Sequence, residues 1–142
     1  MQRTLIVFLI SLPLCFSACS NSNPQGRVAI QGSVTLAGEP LDKGSIQFES
    51  LQDLKPLILT GGVIQQGTFA VPAAQGLLPN QEYTVRIRSV QEIPGTFIQA
   101  ADPEESGPEM RDVIPPQFGT ASTLTVSATK KSPNVFQFDL MP

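Results

Sequence analysis

From Arg27 onward, hydrophobic and polar residues alternate with period two. Val28, Ile30, Val34 and Leu36 fall on one side of an extended segment, with Gly32 among them; Gln31, Ser33 and Thr35 fall on the other. Successive side chains of a strand point to opposite faces of a sheet, so this pattern predicts a half-buried β-strand. Gly38-Glu39-Pro40 predicts a turn, proline presetting φ. Ile46 and Phe48 form the next inward pair, against Gln47 and Glu49. Leu57 to Ile64 is apolar but interrupted by Gly61-Gly62, a pair that in a strand suggests a bulge or bend. Gln66-Gly67 is a tight-turn signal, after which Phe69 and Val71 lead to Pro72. Tyr83, Val85 and Ile87 alternate with Thr84, Arg86 and Arg88 in the clearest strand of the chain, and Val90 extends it.

Between Gln91 and Ser122 the alternation fails. This stretch holds Pro94, Pro103, Pro108, Pro115 and Pro116 and an acidic cluster of Asp102, Glu104, Glu105, Glu109 and Asp112. A long connection without secondary structure of its own is uncommon in a compact domain and often functional. The period returns at Leu124, Val126 and Ala128, and again at Phe136, Phe138 and Leu140. No apolar stripe of helical period follows Cys19. Six to eight short strands with breaker clusters between them predict an all-β domain, a two-sheet sandwich of about seven strands. The expected core is Val28, Ile30, Val34, Leu36, Ile46, Phe48, Phe69, Tyr83, Val85, Ile87, Leu124, Val126, Phe136 and Phe138.

The first residues follow another logic. Arg3 precedes an apolar run from Leu5 to Phe16. That is the length of a signal-peptide core and short of the roughly 20 residues of a transmembrane helix. Phe16-Ser17-Ala18-Cys19 resembles the bacterial lipobox, with Ser17 and Ala18 in the small positions and Phe16 where Leu is usual. Cys15 fits less well, because bulky Leu14 would occupy the small site. The resemblance implies cleavage after residue 18 and diacylation of Cys19 with palmitate-like chains, and two chains suffice for stable anchoring. Ser20 to Gly26 is polar and breaker-rich and reads as a flexible tether. The expected organisation is thus a signal peptide over 1–18, a tether over 19–26 and one β-sandwich domain over 27–142. The expected address is the cell envelope by export and a lipid anchor in the membrane. Ser20 rather than Asp after Cys19 resembles the outer-membrane pattern.

Composition narrows the chemistry. The 142 residues include no histidine, so neither a Ser-His-Asp nor a Cys-His nucleophile system can be built. Both cysteines lie in the first nineteen residues, which leaves the mature domain without thiol chemistry. A net charge of −3 with no basic patch argues against nucleic acid as a partner. Eleven glycines and thirteen prolines exceed the ordinary share of about 12 % and suit a turn-rich β protein.

Several segments together resemble carboxypeptidase-regulatory-like, or transthyretin-like, domains. Gly32-Ser-Val34-Thr-Leu36-Ala-Gly38-Glu-Pro40-Leu41-Asp-Lys-Gly44-Ser-Ile46-Gln-Phe48 is similar to their opening hairpin. Gly67-Thr-Phe69-Ala-Val71-Pro72 and Leu78-Pro79-Asn-Gln-Glu-Tyr83-Thr-Val85-Arg-Ile87 are similar to their middle strands, with Asn80 where Gly is usual. Ile114-Pro115-Pro116-Gln-Phe118 with Ser122-Thr-Leu124, and Asn134-Val-Phe136-Gln-Phe138-Asp-Leu140, resemble the late segments of a planctomycete lipoprotein subgroup. The resemblance covers about residues 28–140. It implies a single Greek-key β-sandwich of prealbumin type and an accessory, non-catalytic role, with no catalytic residues to carry across and no cofactor.

Three features remain as candidate chemistry. The acidic cluster lacks the spacing of a calcium loop, so a solvated loop is the expectation and no metal site is assigned. Paired carboxylates for sugar cleavage find no Trp and one Tyr to serve as platforms. Arg86 and Arg88 share the outward face of one strand. With Phe97 and Phe118 they are the candidate interaction surface. The functional expectation is a non-catalytic envelope module that contacts another envelope protein through loops or edge-strand pairing. The alternative is a small-ligand or carbohydrate-binding lipoprotein whose pocket lies under the 91–121 loop, lined by Phe97 or Phe118.

Overall fold

The computed structural model describes Asn23, residues 25–51 and residues 57–141. Cys19 and the expected signal peptide lie outside the described residues. The described chain is all-β, with ten strands and three single-turn 3-10 segments. The strands are β1 (Ile30–Leu36), β2 (Glu39–Pro40), β3 (Lys43–Ser50), β4 (Leu59–Gln65), β5 (Thr68–Val71), β6 (Gln81–Arg88), β7 (Val90–Glu92), β8 (Met110–Asp112), β9 (Thr125–Ala128) and β10 (Asn134–Leu140).

One curled sheet runs in the order β10-β1-β5-β4-β3-β6-β9, with β2 folded back on β1. All its pairings are antiparallel except β1 with β10. The curl has a local cause. The hairpin turn at Gln66 and Gly67 has positive φ at both positions, which suits a two-residue connection between twisted strands. Beyond it β4 and β5 share only the Gln65–Thr68 pair before diverging. β5 continues into the layer with β1 and β10, and β4 into the layer with β3, β6 and β9, giving the sandwich-like fold.

Between the layers four phenylalanines close a ring. Phe48 of β3 lies 6.1 Å from Phe69 and 6.2 Å from Phe136, and Phe138 lies 6.2 Å from Phe69 and 6.3 Å from Phe136, centroid to centroid. These are ordinary separations for tilted and offset aromatic pairs. Gly32 sits beneath this ring. A Cβ there would overlap the Phe136 carbonyl and lie 2.9 Å from a Phe69 ring carbon, so only glycine lets β1 and β10 approach.

The inward pattern follows the alternation. Ten of the expected core residues are buried; Leu36, Leu124, Val126 and Phe136 are half-buried against them. Leu41, Ile58, Ile64, Leu77 and Ile114 also join the core, from strand ends and loops where no alternation marks them.

Several local expectations are corrected. The first turn centres on Ala37 and Gly38, both with positive φ, and Pro40 instead pairs across from Thr35. Gly61-Gly62 makes no bulge: the β3–β4 register is unbroken from Lys43–Gln65 to Glu49–Leu59. The glycines serve close packing instead, since a Cβ on Gly62 would stand 3.1 Å from a Val71 methyl. At the border of the expected tether, Asn23 bonds to both the N–H and the carbonyl of Arg27. Val90 does not extend β6. Ser89 interrupts it, and Val90 begins a second, two-stranded sheet of β7 and β8.

Candidate functional site

That second sheet replaces the structureless connection expected over 91–121 with a hairpin arm and a docked return. Val90 pairs with Asp112, Gln91 with Arg111 and Glu92 with Met110. Pro94-Gly95 makes a tight turn within the outgoing strand: Gly95 has φ +80° and Thr96 N–H donates to the Ile93 carbonyl at 3.3 Å. The arm resumes at Ile98 and Gly107, which exchange two backbone hydrogen bonds of 2.7 and 3.1 Å. Its end is tied by Asp102, whose carboxylate accepts the Glu104 N–H at 3.0 Å and whose carbonyl accepts that of Glu105 at 3.1 Å.

The root of the arm is a polar clamp. The Asp112 carboxylate accepts the N–H of Ser89 at 3.0 Å and of Ile114 at 3.1 Å, and the Arg88 guanidinium at 3.3 Å. Buried Ser89 donates its hydroxyl to the Lys43 carbonyl at 2.6 Å and accepts the Gln91 side-chain amide at 3.1 Å. Partial burial pushes the Asp112 carboxyl up, but its bonds to Ser89, Ile114 and Arg88 outweigh this and hold it below the ordinary aspartate value. The clamp joins the end of β6 to the start of β7 and the end of β8, so it sets where the arm leaves the sandwich.

The arm exposes large apolar side chains: Phe97 at 69 %, Met110 at 56 %, Ile98 at 54 % and Val90 at 51 %. It also carries most of the acidic cluster. Glu109 pairs with Arg111 at 3.2 Å, while Glu92, Glu104 and Glu105 form no ion pair among the described residues. Among the described residues no group of three metal-ligating side chains converges.

The structure separates the four candidate surface residues. Arg86 is engaged by this chain: Nε and one terminal nitrogen donate to a single Glu49 oxygen at 3.2 and 3.1 Å, and the other nitrogen to the Thr120 carbonyl at 2.9 Å. It thereby pins the loop after Phe118 to the sheet. Arg88 belongs to the Asp112 clamp. Both arginines of this strand face are therefore held in ion pairs, with Glu49 and Asp112. Phe118 ends a 3-10 turn (Pro116–Phe118) and is half-buried against the core. Only Phe97 stands free in solvent. The signal that could have found Val90, Ile98 and Met110 was their apolar character inside a polar stretch.

Three concavities lie elsewhere. One of about 550 Å³ lies over β1, β5 and β10, with Val63 and Gln65 from β4, and carries no charged side chain. Two others, of about 300 and 520 Å³, follow β3 and β4. None is lined by Phe97 or Phe118.

No family model matches the chain, and no curated protein matches it. A solved 9R-lipoxygenase from Cyanothece PCC8801 aligns over 83 % of this chain at 12 % identity with a TM-score of 0.35. The chain spans 17 % of that protein's length, and a likeness at this level carries no argument about fold or activity.

Proposed function

We propose that this chain is a non-catalytic envelope module, lipid-anchored through Cys19, that presents the 90–112 hairpin arm to a protein partner. We further read its domain as an accessory module of the carboxypeptidase-regulatory-like type. The observation that carries the interaction reading is the arm itself. Four large apolar side chains are held in solvent on a hairpin whose root is fixed by a partly buried polar clamp. Scattered exposed apolar residues are ordinary, but several on one projecting, ordered hairpin mark a contact surface. Glu92, Glu104 and Glu105 on the same arm, without an ion pair among the described residues, favour a partner surface that is apolar with basic neighbours.

The test is photo-crosslinking of the full lipoprotein in intact envelopes, with the crosslinker at Phe97 and a control at exposed Glu39. One protein captured at Phe97 and absent at Glu39 supports the reading. The same bands at both positions, or none at Phe97, overturn it.

A further inference from the structure

We propose that the outer edge of β10 is a self-association edge, on which two copies of the chain pair antiparallel, β10 to β10. The backbone shows that the edge is open. Asn134 donates its N–H to the Ala29 carbonyl at 2.8 Å and Leu140 accepts from Ala37 at 2.9 Å, so the even-numbered residues of β10 face β1. Val135, Gln137 and Asp139 therefore point their N–H and C=O groups away from the sheet. β1 is the one strand paired with β10 among the described residues.

Natural sheets guard such edges with short strands, bulges, prolines or central lysines. The opposite edge follows this rule, since β9 is four residues long. β10 does not. It is seven residues long, its register with β1 is unbroken from Ile30–Asn134 to Leu36–Leu140, and its interior holds neither proline nor lysine. The outward side chains in the middle of the edge, Val135 at 60 % exposure and Gln137, are uncharged, so an added strand meets no charge there.

Charge selects the occupant. Lys130 and Lys131 lie just before β10, and Asp139, its one charged residue, lies near its end. An antiparallel second copy brings the lysine end of each chain towards the aspartate end of the other; a parallel copy sets like beside like. In the register that places Val135 opposite Gln137 of the second copy, each such pair exchanges two backbone hydrogen bonds about a twofold axis. Edge pairing alone falls short of the roughly 1,600 Å² of a standard interface, so this is a weak, concentration-dependent dimer. A shared membrane surface would favour it.

Sedimentation equilibrium of the full acylated chain in detergent tests this over a wide concentration range. The mass should rise from monomer towards dimer. Gln137→Pro removes an outward N–H without touching the β1 ladder, and Val135→Lys places a charge on the edge. Each should weaken association about tenfold or more while circular dichroism stays unchanged. Added salt should weaken the wild-type dimer. A wild type that stays monomeric throughout overturns the proposal. So does a dimer unaffected by both variants, or one abolished by Phe97→Ala instead.

Discussion

The Leu78 backbone N–H donates to the Tyr83 hydroxyl at 2.9 Å, and the Tyr83 ring is fully buried at the start of β6. The same hydroxyl lies 3.3 Å from the Leu78 carbonyl and 3.3 Å from the Gln81 side chain. One side chain thus fills the core and closes the loop leading into its own strand. Asn80, between them, has φ +61°, the left-handed conformation that asparagine tolerates better than most residues. Tyr83→Phe keeps the ring and leaves the Leu78 N–H without that acceptor. It should lower unfolding stability by about 1–3 kcal/mol, measured by urea denaturation. An unchanged midpoint would show that water replaces the hydroxyl.

The arm's clamp should be sensitive to acid. The Asp112 carboxyl lies below its ordinary value in the folded chain. Its contribution is therefore fully present above the unfolded aspartate value near 4 and is lost as pH falls through the lower folded value. Asp112→Asn should flatten stability against pH in that acid range and leave the neutral arm of the profile parallel to wild type. It should also speed limited proteolysis between Ile93 and Pro108 at neutral pH, because two backbone bonds at the arm's root are weakened. Cleavage at the wild-type rate would remove the clamp's assigned role.

Gly32→Ala should be among the most damaging single-methyl changes in the domain. The added carbon meets backbone of β10 and the Phe69 ring, neither of which can rotate away. Overpacking usually costs about 1–3 kcal/mol, and here the upper end is expected because the β1–β10 ladder must shift. Thermal unfolding reads the loss. Gly38→Ala, with positive φ but open space around it, serves as a comparison for backbone strain alone.

Cys19→Ala should abolish acylation and leave unprocessed precursor, read by metabolic labelling with a palmitate analogue and by the precursor's mobility. Normal processing and labelling of that variant would sink the anchor. Cys15→Ala should leave both unchanged.

The strands were legible because burial on one face imposes period two on the sequence. Ile46-Gln47-Phe48 and Tyr83 through Ile87 announce their inward faces, and the structure buries those side chains. The turns were less legible. Ala37 holds a positive φ that nothing in its side chain announces. Pro40 is the stronger turn signal in the sequence, yet it pairs across from Thr35 at the end of a short strand. The arm was least legible: only three residues on each side of its sheet pair regularly, too few for alternation to register. The ion pairs of Arg86 and Arg88 leave no local mark, because their partners, Glu49 and Asp112, are 37 and 24 residues away.

By itself the sequence determined the all-β class, the inward faces of the main strands and the lipobox-like segment around Cys19. Each is local: side-chain periodicity, turn chemistry and a short motif are complete within a few neighbouring residues. The tertiary structure alone decided that the first and last long strands lie parallel and that the sheet divides beyond Gln65–Thr68. It also decided that Asp112 clamps the arm and that β10 has, among the described residues, no strand on its outer side. Those depend on which distant segments meet, and hydrogen-bond partners across tens of residues leave no periodic mark on the chain.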